Sequence, residues 1–276
     1  RVTGEVQSVT DLPLQIDTSS PEVMEAALRR YNGKALVNSV NGKEEVMNAV
    51  FPLVKKYGGV VVALTIDETS IPDTAAARLA VVQKIYKKAA EYGISKKNII
   101  IDPLAMAVSS DDKAPPATLE TVRAVCVAGG NTILGVSNVS FGLPDREFVT
   151  AAFFTMAMQN GLSCAIMNPN SDEMQKAYAC FCALSGHDSQ CQKYIAFAEK
   201  YDAVHPVSSA AQTLVPVSAD SSTADSSAET GTFQPGTLQY AIIRGLKAEA
   251  VSYTKELVKA EVALDIINKY LIPALD

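Results

Sequence analysis

The run from Val60 to Asp67 spells VVVALTID, a short and almost wholly apolar segment that ends at a carboxylate. Such a run, rich in β-branched residues, is typical of a parallel strand that is buried on both faces. Five other segments have the same character, namely Leu12 to Ile16, Ala35 to Val37, Ile99 to Ile101, Thr132 to Val136 and Cys164 to Met167. The sequence therefore predicts six parallel strands.

Helical segments separate these strands. They are Pro21 to Arg30, Lys43 to Tyr57, Asp73 to Tyr92, Thr118 to Ala128 and Phe148 to Asn160. Alternation of this kind indicates βα units. A doubly wound open sheet usually carries a glycine-rich phosphate turn after one strand, and none of the six has one. We therefore expect a (β/α) barrel, and because a closed barrel needs eight strands, two further βα units are expected before Arg1.

Composition changes sharply after the last predicted strand. We expect the barrel to occupy residues 1–202. Residues 203–236 are predicted to be a flexible linker, because Ser, Ala and Thr dominate and no Lys or Arg occurs between Tyr201 and Arg244. In residues 237–276 apolar positions return at helical spacing, which predicts two helices separated near Gly245 to Ala250. Forty residues cannot form a complete core, so these helices are interpreted as the start of a second, all-α domain.

The overall charge and residue usage exclude several classes of protein. The formal charge is −6 and no Lys/Arg-dense run is present, which disfavours nucleic-acid binding. No apolar run approaches the ~20 residues that cross a bilayer, and the start lacks a signal-peptide pattern, so a cytoplasmic protein without a membrane partner is predicted. Five cysteines and two histidines show no metal-ligand spacing, so we expect reduced thiols and no metal site.

Every predicted strand is followed by a polar side chain. These residues are Asp17, Asn38, Asp67, Asp102, the pair Ser137 and Asn138, and Asn168. A single Asp after a strand is usually a helix N-cap, but several together indicate a site, because the carboxyl ends of barrel strands form the mouth where ligands bind. A magnesium or calcium site would need its oxygen ligands on one or two adjacent loops, whereas these residues follow separate strands.

A ring of carboxylates and carboxamides suits a planar heterocycle that carries amino, N–H and carbonyl groups on one edge, such as an aminopyrimidinone. Asp17 or Asp102 could accept two parallel hydrogen bonds from its amino group and adjacent N–H. No Ser-His-Asp or Cys-His arrangement is present, because Cys164 lies inside a predicted strand. The chemistry is therefore expected to depend on positioning and hydrogen bonding, with a reactive cofactor supplied from elsewhere.

Four segments resemble a known family. They are Leu12 to Ser19 (LPLQIDTS), Ala35 to Ser39 (ALVNS), Ile99 to Leu104 (IIIDPL) and Leu134 to Arg146 (LGVSNVSFGLPDR). In this order they are similar to the pterin-binding methyltransferases, a family that includes the methyltetrahydrofolate-binding module of cobalamin-dependent methionine synthase and the corrinoid protein methyltransferases. The likeness covers roughly residues 8 to 202. It implies an α/β fold, a (β/α)8 TIM barrel of the dihydropteroate-synthase-like type that lacks its first two strands in this chain.

The resemblance also implies an activity and the roles of site residues. The family transfers the N5 methyl group of 5-methyltetrahydrofolate to the Co(I) of a corrinoid, in methionine synthesis or a related one-carbon pathway. By motif, Asp17, Asn38 and Asp102 would contact the edge of the pterin, and Asn138 would lie near N5 as the catalytic residue. Ser137 and Arg146 would support the Asn138 loop. Asp67 and Asn168 complete the predicted substrate-binding set.

The C-terminal segment resembles the opening helices of the cap that precedes cobalamin-binding domains. This likeness implies that cobalamin is bound by an adjacent domain that this chain does not contain, either in the same full-length protein or in a separate corrinoid protein. A homodimer through the barrel is left open. Two alternatives also stay open, a dihydropteroate-synthase-like enzyme and an inactive pterin-binding fragment. Against the synthase, Ser137 and Asn138 stand where that family carries Ser-Arg or Ser-Lys.

Overall fold

The computed structural model of the chain describes residues 2–204, 236–243, 246–271 and 274. The chain divides into two compact units, Arg1–Phe181 and Cys182–Asp276. The linker predicted for residues 203–236 lies outside the described residues, apart from its first two residues and its last one. Each unit is therefore described by itself.

The first unit alternates strands and helices after one N-terminal helix, and its last helix extends three residues past Phe181. In order, its elements are α1 (Val2–Gln7), β1 (Gln15–Asp17), α2 (Pro21–Leu28), β2 (Leu36–Asn41), α3 (Glu44–Tyr57), β3 (Val60–Leu64), α4 (Ala75–Glu91), β4 (Ile99–Asp102), α5 (Ala114–Val127), β5 (Asn131–Gly135), α6 (Arg146–Gln159), β6 (Cys164–Ile166) and α7 (Asp172–Leu184). Over the described residues the six strands form one parallel sheet in chain order, with β1 and β6 at its edges. The six predicted strands are confirmed.

Local sequence signals determine where these helices begin. Ser20 caps α2, its hydroxyl accepting a hydrogen bond from the Val23 amide at 3.3 Å, and Pro21 follows at the first helical position. Helix α5 begins at Ala114, four residues before the predicted start at Thr118. Its first turn contains Pro115 and Pro116, which are tolerated there because the first amide groups of a helix have no intrahelical partner.

The main core lies between one face of the sheet and the helices. Val37, Val61 and Ile101 on the strands are fully buried and belong to the same cluster as Phe51 of α3 and Ile85 of α4. A second cluster continues this layer around β5, β6 and α6. This packed layer supports the strand ends from which the loops project.

The second unit is helical. Its elements are a short 3-10 turn (Ser189–Cys191), α8 (Gln192–Val204), α9 (Leu238–Ile243), α10 (Lys247–Ala260), α11 (Ala263–Ile266) and a π-helical turn (Ile267–Leu271). The break predicted near Gly245 to Ala250 occurs between α9 and α10. A further break at residues 261–262 divides what the sequence predicted as one C-terminal helix. No helix in the described ranges is long and apolar enough to cross a membrane.

Candidate functional site

Strand register brings three of the predicted site residues to one face of the sheet. Asp17 pairs with Asn38, and Asn38 pairs with Val62, so these three side chains lie on the same face. Leu64, two residues beyond Val62, is on that face too, and it pairs with Asp102. The helix layer covers the opposite face, where Val61 and Ile101 are buried. Asp17, Asn38 and Asp102 therefore project from the face opposite the helix layer, at the carboxyl ends of their strands.

The side chains of Asp17 and Asn38 contact each other directly. The Asn38 amide nitrogen donates to Asp17 Oδ2 at 3.1 Å, and the Thr18 backbone amide donates to the Asn38 carbonyl at 3.2 Å. The pairing of β2 with β3 shifts register between Asn38 and Val40, and the Asn38–Ser39 peptide bond is cis. A register shift of this kind re-aims side chains at strand ends. The Oδ1 atoms of Asn38 and Asp17 provide further acceptors for a ligand.

Asp102 differs from the other strand-end residues because it is buried, with 9% of its surface exposed. Its Oδ1 accepts a hydrogen bond from the Leu104 amide at 2.8 Å, and Oδ2 accepts none from the residues that the structure describes. Burial raises the pKa of this carboxyl to about 6, and the Leu104 amide and the positive charge of Arg78 oppose that rise. A buried acceptor of this kind suits a ligand with adjacent N–H donors.

Asn138 lies on a 3-10 turn, Val136–Ser140, that follows β5 without an intervening loop. Its side chain is exposed and lies over Gly135, where a Cβ would be 3.1 Å from the Asn138 amide nitrogen. Gly135 is in register with Ile166 of β6. The absence of a side chain at Gly135 therefore gives the Asn138 amide its place at the end of the strand.

Arg146 fixes the turn that carries Asn138. Its Nη2 donates to the Ser137 carbonyl, and its Nε donates to Ser140 Oγ at 3.3 Å. Ser140 Oγ also lies 2.7 Å from Thr150 Oγ1 of α6. The two predicted supporting residues are thus in contact, through the main chain of Ser137 rather than its hydroxyl.

The loops that follow β4 and β5 are joined to each other. The Val108 amide donates to the Val139 carbonyl at 2.9 Å, and Ser109 Oγ donates to the Phe141 carbonyl at 2.9 Å. One loop begins at Asp102 and the other contains Asn138. Their relative position is therefore set by main-chain contacts as well as by the sheet.

The remaining two predicted residues have other surroundings. Asp67 is exposed, and its Oδ1 lies 3.9 Å from Lys84 Nζ of α4 and accepts from the Glu68 amide at 2.8 Å. These contacts direct it towards the helix layer. Asn168 is exposed after β6, and its Oδ1 accepts from the Asn170 amide at 3.0 Å. Neither side chain contacts Asp17, Asn38 or Asp102 among the described residues, and their roles at a ligand stay predictions.

One important residue was not predicted from the sequence. Arg78 of α4 is 1% exposed, and its guanidinium donates to the main chain of the Asp102 loop. No spacing pattern signals such a contact, because the partners lie about 25 residues away in sequence.

All five cysteines are free thiols, and within the described ranges no cluster of three or more His, Cys, Asp or Glu could hold a metal ion.

Comparison with known proteins defines the class and then the family. The solved structures with this fold include Yersinia pestis DHPS with a pterine-sulfa conjugate (TM-score 0.56, 16% identity, 67% of this chain and 73% of that chain). A second is the dihydropteroate synthase of Xanthomonas albilineans in complex with 7,8-dihydropteroate (TM-score 0.52, 20% identity, 67% of this chain and 71% of that chain). The chain thus has the fold of a dihydropteroate-synthase-like (β/α) barrel, as the sequence predicted.

The profile of the family described as pterin binding enzyme matches residues 1–168. The methylcorrinoid:tetrahydrofolate methyltransferase of Eubacterium limosum is 32% identical over 194 residues, 68% of this chain and 71% of that protein. The methionine synthase of Mycobacterium leprae is 29% identical over 179 residues, 60% of this chain but only 15% of that protein. This chain belongs to the pterin-binding enzyme family.

Proposed function

We propose that this chain binds 5-methyltetrahydrofolate and transfers its N5 methyl group to the cobalt of a corrinoid. The observation that carries the proposal is the arrangement of Asp17, Asn38 and Asp102 on one face of the sheet, beside the loop that bears Asn138. The names of two relatives, which specify methyl transfer between a corrinoid and tetrahydrofolate and the synthesis of methionine, support it.

The pterin edge matches the donors and acceptors of this face. In the proposed complex, the Asp102 carboxylate accepts hydrogen bonds from the exocyclic amino group and the adjacent ring N–H, with the fork geometry that a carboxylate offers to an Arg. The Asn38 and Asp17 pair contributes one amide and one carboxylate for the remaining polar atoms of the ring. Because Asp102 is buried, its hydrogen bonds to the ligand are formed where water competes least.

Asn138 is proposed to act at N5. The nitrogen of a neutral tertiary amine leaves poorly as an anion, so N5 must gain a proton from solvent as the methyl group passes to the corrinoid. The Asn138 amide can hydrogen-bond N5 and stabilise its protonated form without being the acid. The corrinoid supplies the cobalt nucleophile that accepts the methyl group. Arg146 and Gly135 keep the Asn138 turn in place, so that the amide is positioned before the ligand binds.

The dihydropteroate synthase alternative has support from the fold alone. Four solved synthases with this fold are 15–21% identical to this chain, whereas the methyltransferase relative is 32% identical. Asn138 stands where the synthase family is expected to carry a cationic residue for a pyrophosphate-bearing substrate. Consumption of p-aminobenzoate with a pterin pyrophosphate would establish the synthase reaction instead.

The proposal extends to partners and location. A cobalamin-binding domain, in the same full-length protein or in a separate one, is the proposed source of the corrinoid. The helices from Leu238 onward are proposed to be the start of its cap, joined to the barrel through residues 203–236. A homodimer through the barrel and a cytoplasmic location stay predictions.

Calorimetric titration with 5-methyltetrahydrofolate tests the binding step. We expect saturable binding that Asp102→Ala weakens by at least tenfold, because a charge-assisted hydrogen bond contributes about 1.5–3 kcal/mol. Asp112→Ala is the matched control, since Asp112 is an exposed carboxylate in the loop that begins at Asp102. Equal affinities of the two variants would contradict the assignment of Asp102.

Methyl transfer to added, reduced cobalamin tests the catalytic step. We expect Asn138→Ala to lower the transfer rate by about 100-fold, the usual effect of removing one positioned hydrogen-bonding group, with a much smaller loss of folate affinity. Asn131→Ala, at the opposite end of β5, is the control. A transfer rate that Asn138→Ala leaves unchanged would exclude a role for this amide at N5.

A further inference from the structure

Arg78 is an unusual side chain because a guanidinium is almost fully buried in the helix layer. It is 1% exposed, although burying a charge is costly unless its donors are satisfied. Among the described residues no carboxylate lies within ion-pair distance of it. Its partners are main-chain carbonyls and one hydroxyl, since Nε donates to the Pro72 carbonyl at 2.9 Å and Nη1 donates to Thr118 Oγ1 at 2.8 Å.

The contacts of Arg78 converge on the two residues that follow Asp102. Nη1 donates to the Pro103 carbonyl at 2.9 Å and lies 3.4 Å from the Leu104 carbonyl. Thr118 Oγ1 of α5 is also 2.9 Å from the Leu104 carbonyl. Arg78 thus links α4, α5 and the loop after β4 at one point, immediately beside the predicted pterin-binding carboxylate.

The loop adopts a backbone conformation that requires such support. Leu104 has a φ of +69°, a left-handed conformation that is unfavourable for a branched side chain. Its amide donates to Asp102 Oδ1 at 2.8 Å, while its carbonyl faces Arg78 and Thr118. The Asp102 side chain therefore contacts the Leu104 amide, and Arg78 contacts the Leu104 carbonyl.

Arg78 also acts on Asp102 through its charge. Burial raises the pKa of the Asp102 carboxyl to about 6, and the Leu104 amide and the Arg78 cation are the two groups that oppose this rise. Burial lowers the pKa of Arg78 itself, and the negative charges of Asp73, Asp111 and Asp102 oppose that change. Arg78 is thus one of the two groups that favour the ionised form of Asp102, after the Leu104 amide.

We propose that Arg78 is a positioning residue for Asp102, which fixes the loop geometry at the strand end and keeps the carboxylate ionised for ligand binding. The inference rests on the proposed function for its role in folate binding. Its effect on Asp102 itself is a property of the ligand-free protein. The two can therefore be tested separately.

The test measures the titration midpoint of Asp102 by carboxyl ¹³C NMR in the ligand-free chain, and the pH profile of 5-methyltetrahydrofolate binding. Arg78→Met removes the charge and the donors, and Arg78→Lys keeps the charge without the guanidinium fork. Arg123→Met, at an exposed position of α5, is the control. Circular dichroism verifies that each variant is folded.

We expect Arg78→Met to raise the midpoint of Asp102, because a cation that favours the ionised carboxylate is removed, and to move the acid limb of folate binding in the same direction by the same amount. Arg78→Lys should restore most of the midpoint but bind folate several-fold more weakly. A folded Arg78→Met chain with an unchanged midpoint would overturn the inference. If Arg78→Met does not fold, Arg78→Lys decides, because wild-type affinity and midpoint in that variant would also overturn it.

Failure of the proposed function has a different signature. In that case the wild-type chain would not bind 5-methyltetrahydrofolate at any pH, while the NMR midpoint of Asp102 would still respond to Arg78→Met. A purely structural role of Arg78 would lower the thermal stability without moving the midpoint, and that result counts against the proposal.

Discussion

Stability and ligand binding favour opposite charge states of the Asp102 side chain. Its carboxyl is buried and has a pKa of about 6, against an ordinary value of 3.8. Between about pH 4 and pH 6, the Asp102 carboxyl is therefore protonated in the folded state and ionised in the unfolded state. The stabilisation by the protonated form is fully present below about pH 4 and is lost as the pH rises through about 6.

We therefore expect Asp102→Asn to be more stable than the wild type at neutral pH. The amide keeps an acceptor for the Leu104 N–H but carries no charge, so the gain in free energy of unfolding should be on the order of 2–3 kcal/mol above pH 6 and vanish below about pH 4. Urea denaturation across this range measures it, with Asp112→Asn as the control. A variant less stable than the wild type at pH 8 would contradict the assigned environment.

Gly135 leaves room for the Asn138 amide because it has no side chain. Its φ of −75° suits any residue, so its importance lies in the 3.1 Å approach of the Asn138 amide nitrogen to the place of a Cβ. We expect Gly135→Ala to displace this amide by a few tenths of an ångström and to lower methyl transfer by about tenfold, less than the ~100-fold effect of a 1 Å displacement. Transfer assays measure the rate, and thermal melting verifies that the variant is folded.

Gly4→Ala provides the comparison for Gly135→Ala, because a Cβ at Gly4 in α1 would meet no atom within 4 Å. It should leave methyl transfer unchanged. Equal transfer rates for wild type and Gly135→Ala would show that the Asn138 amide is not held by this contact.

The sequence predicted the strand-end residues better than their surroundings. Asp17, Asn38 and Asp102 could be identified because an apolar run of strand length ends at a polar side chain. The direction of Asp67 could not, since its contact with Lys84 depends on how the loop returns to α4. Arg78 was missed because its partners are main-chain carbonyls, and a carbonyl has no signature in the sequence.

At the scale of elements, the loops after β4 and β5 behave as one support for the site. The Ser109 hydroxyl joins them by donating to the Phe141 carbonyl at 2.9 Å. We expect Ser109→Ala to weaken folate binding by about two- to tenfold, because a net contribution of about 0.5–1.5 kcal/mol is lost at an exposed contact. Calorimetry measures the affinity, and the adjacent exposed Ser110→Ala is the control.

If Ser109→Ala and Ser110→Ala bind folate equally well, the Ser109 hydroxyl is not needed to position the two loops. The elements themselves were largely predictable, because six strands and their intervening helices follow from periodicity and from capping signals such as Ser20. The early start of α5 was not, since Pro115 and Pro116 resemble a loop when their place in the first helical turn is unknown.

At the scale of the whole molecule, stability depends on the layer between the sheet and the helices. Phe51 of α3 is fully buried and belongs to the main cluster. We expect Phe51→Ala to lower the free energy of unfolding by about 3–5 kcal/mol, through lost burial and the cavity left behind. Phe148→Ala, at a position 66% exposed on α6, should change it little. Equal effects of the two substitutions in chemical denaturation would contradict this core.

A crystal structure of the chain with 5-methyltetrahydrofolate measures most directly whether these side chains form one pterin site. We predict that the Asp102 carboxylate contacts the ring's amino group and neighbouring N–H, and that the Asn138 amide lies within about 3.2 Å of N5. A pterin bound elsewhere, or bound with its polar edge turned away from Asp17, Asn38 and Asp102, would contradict the proposed function.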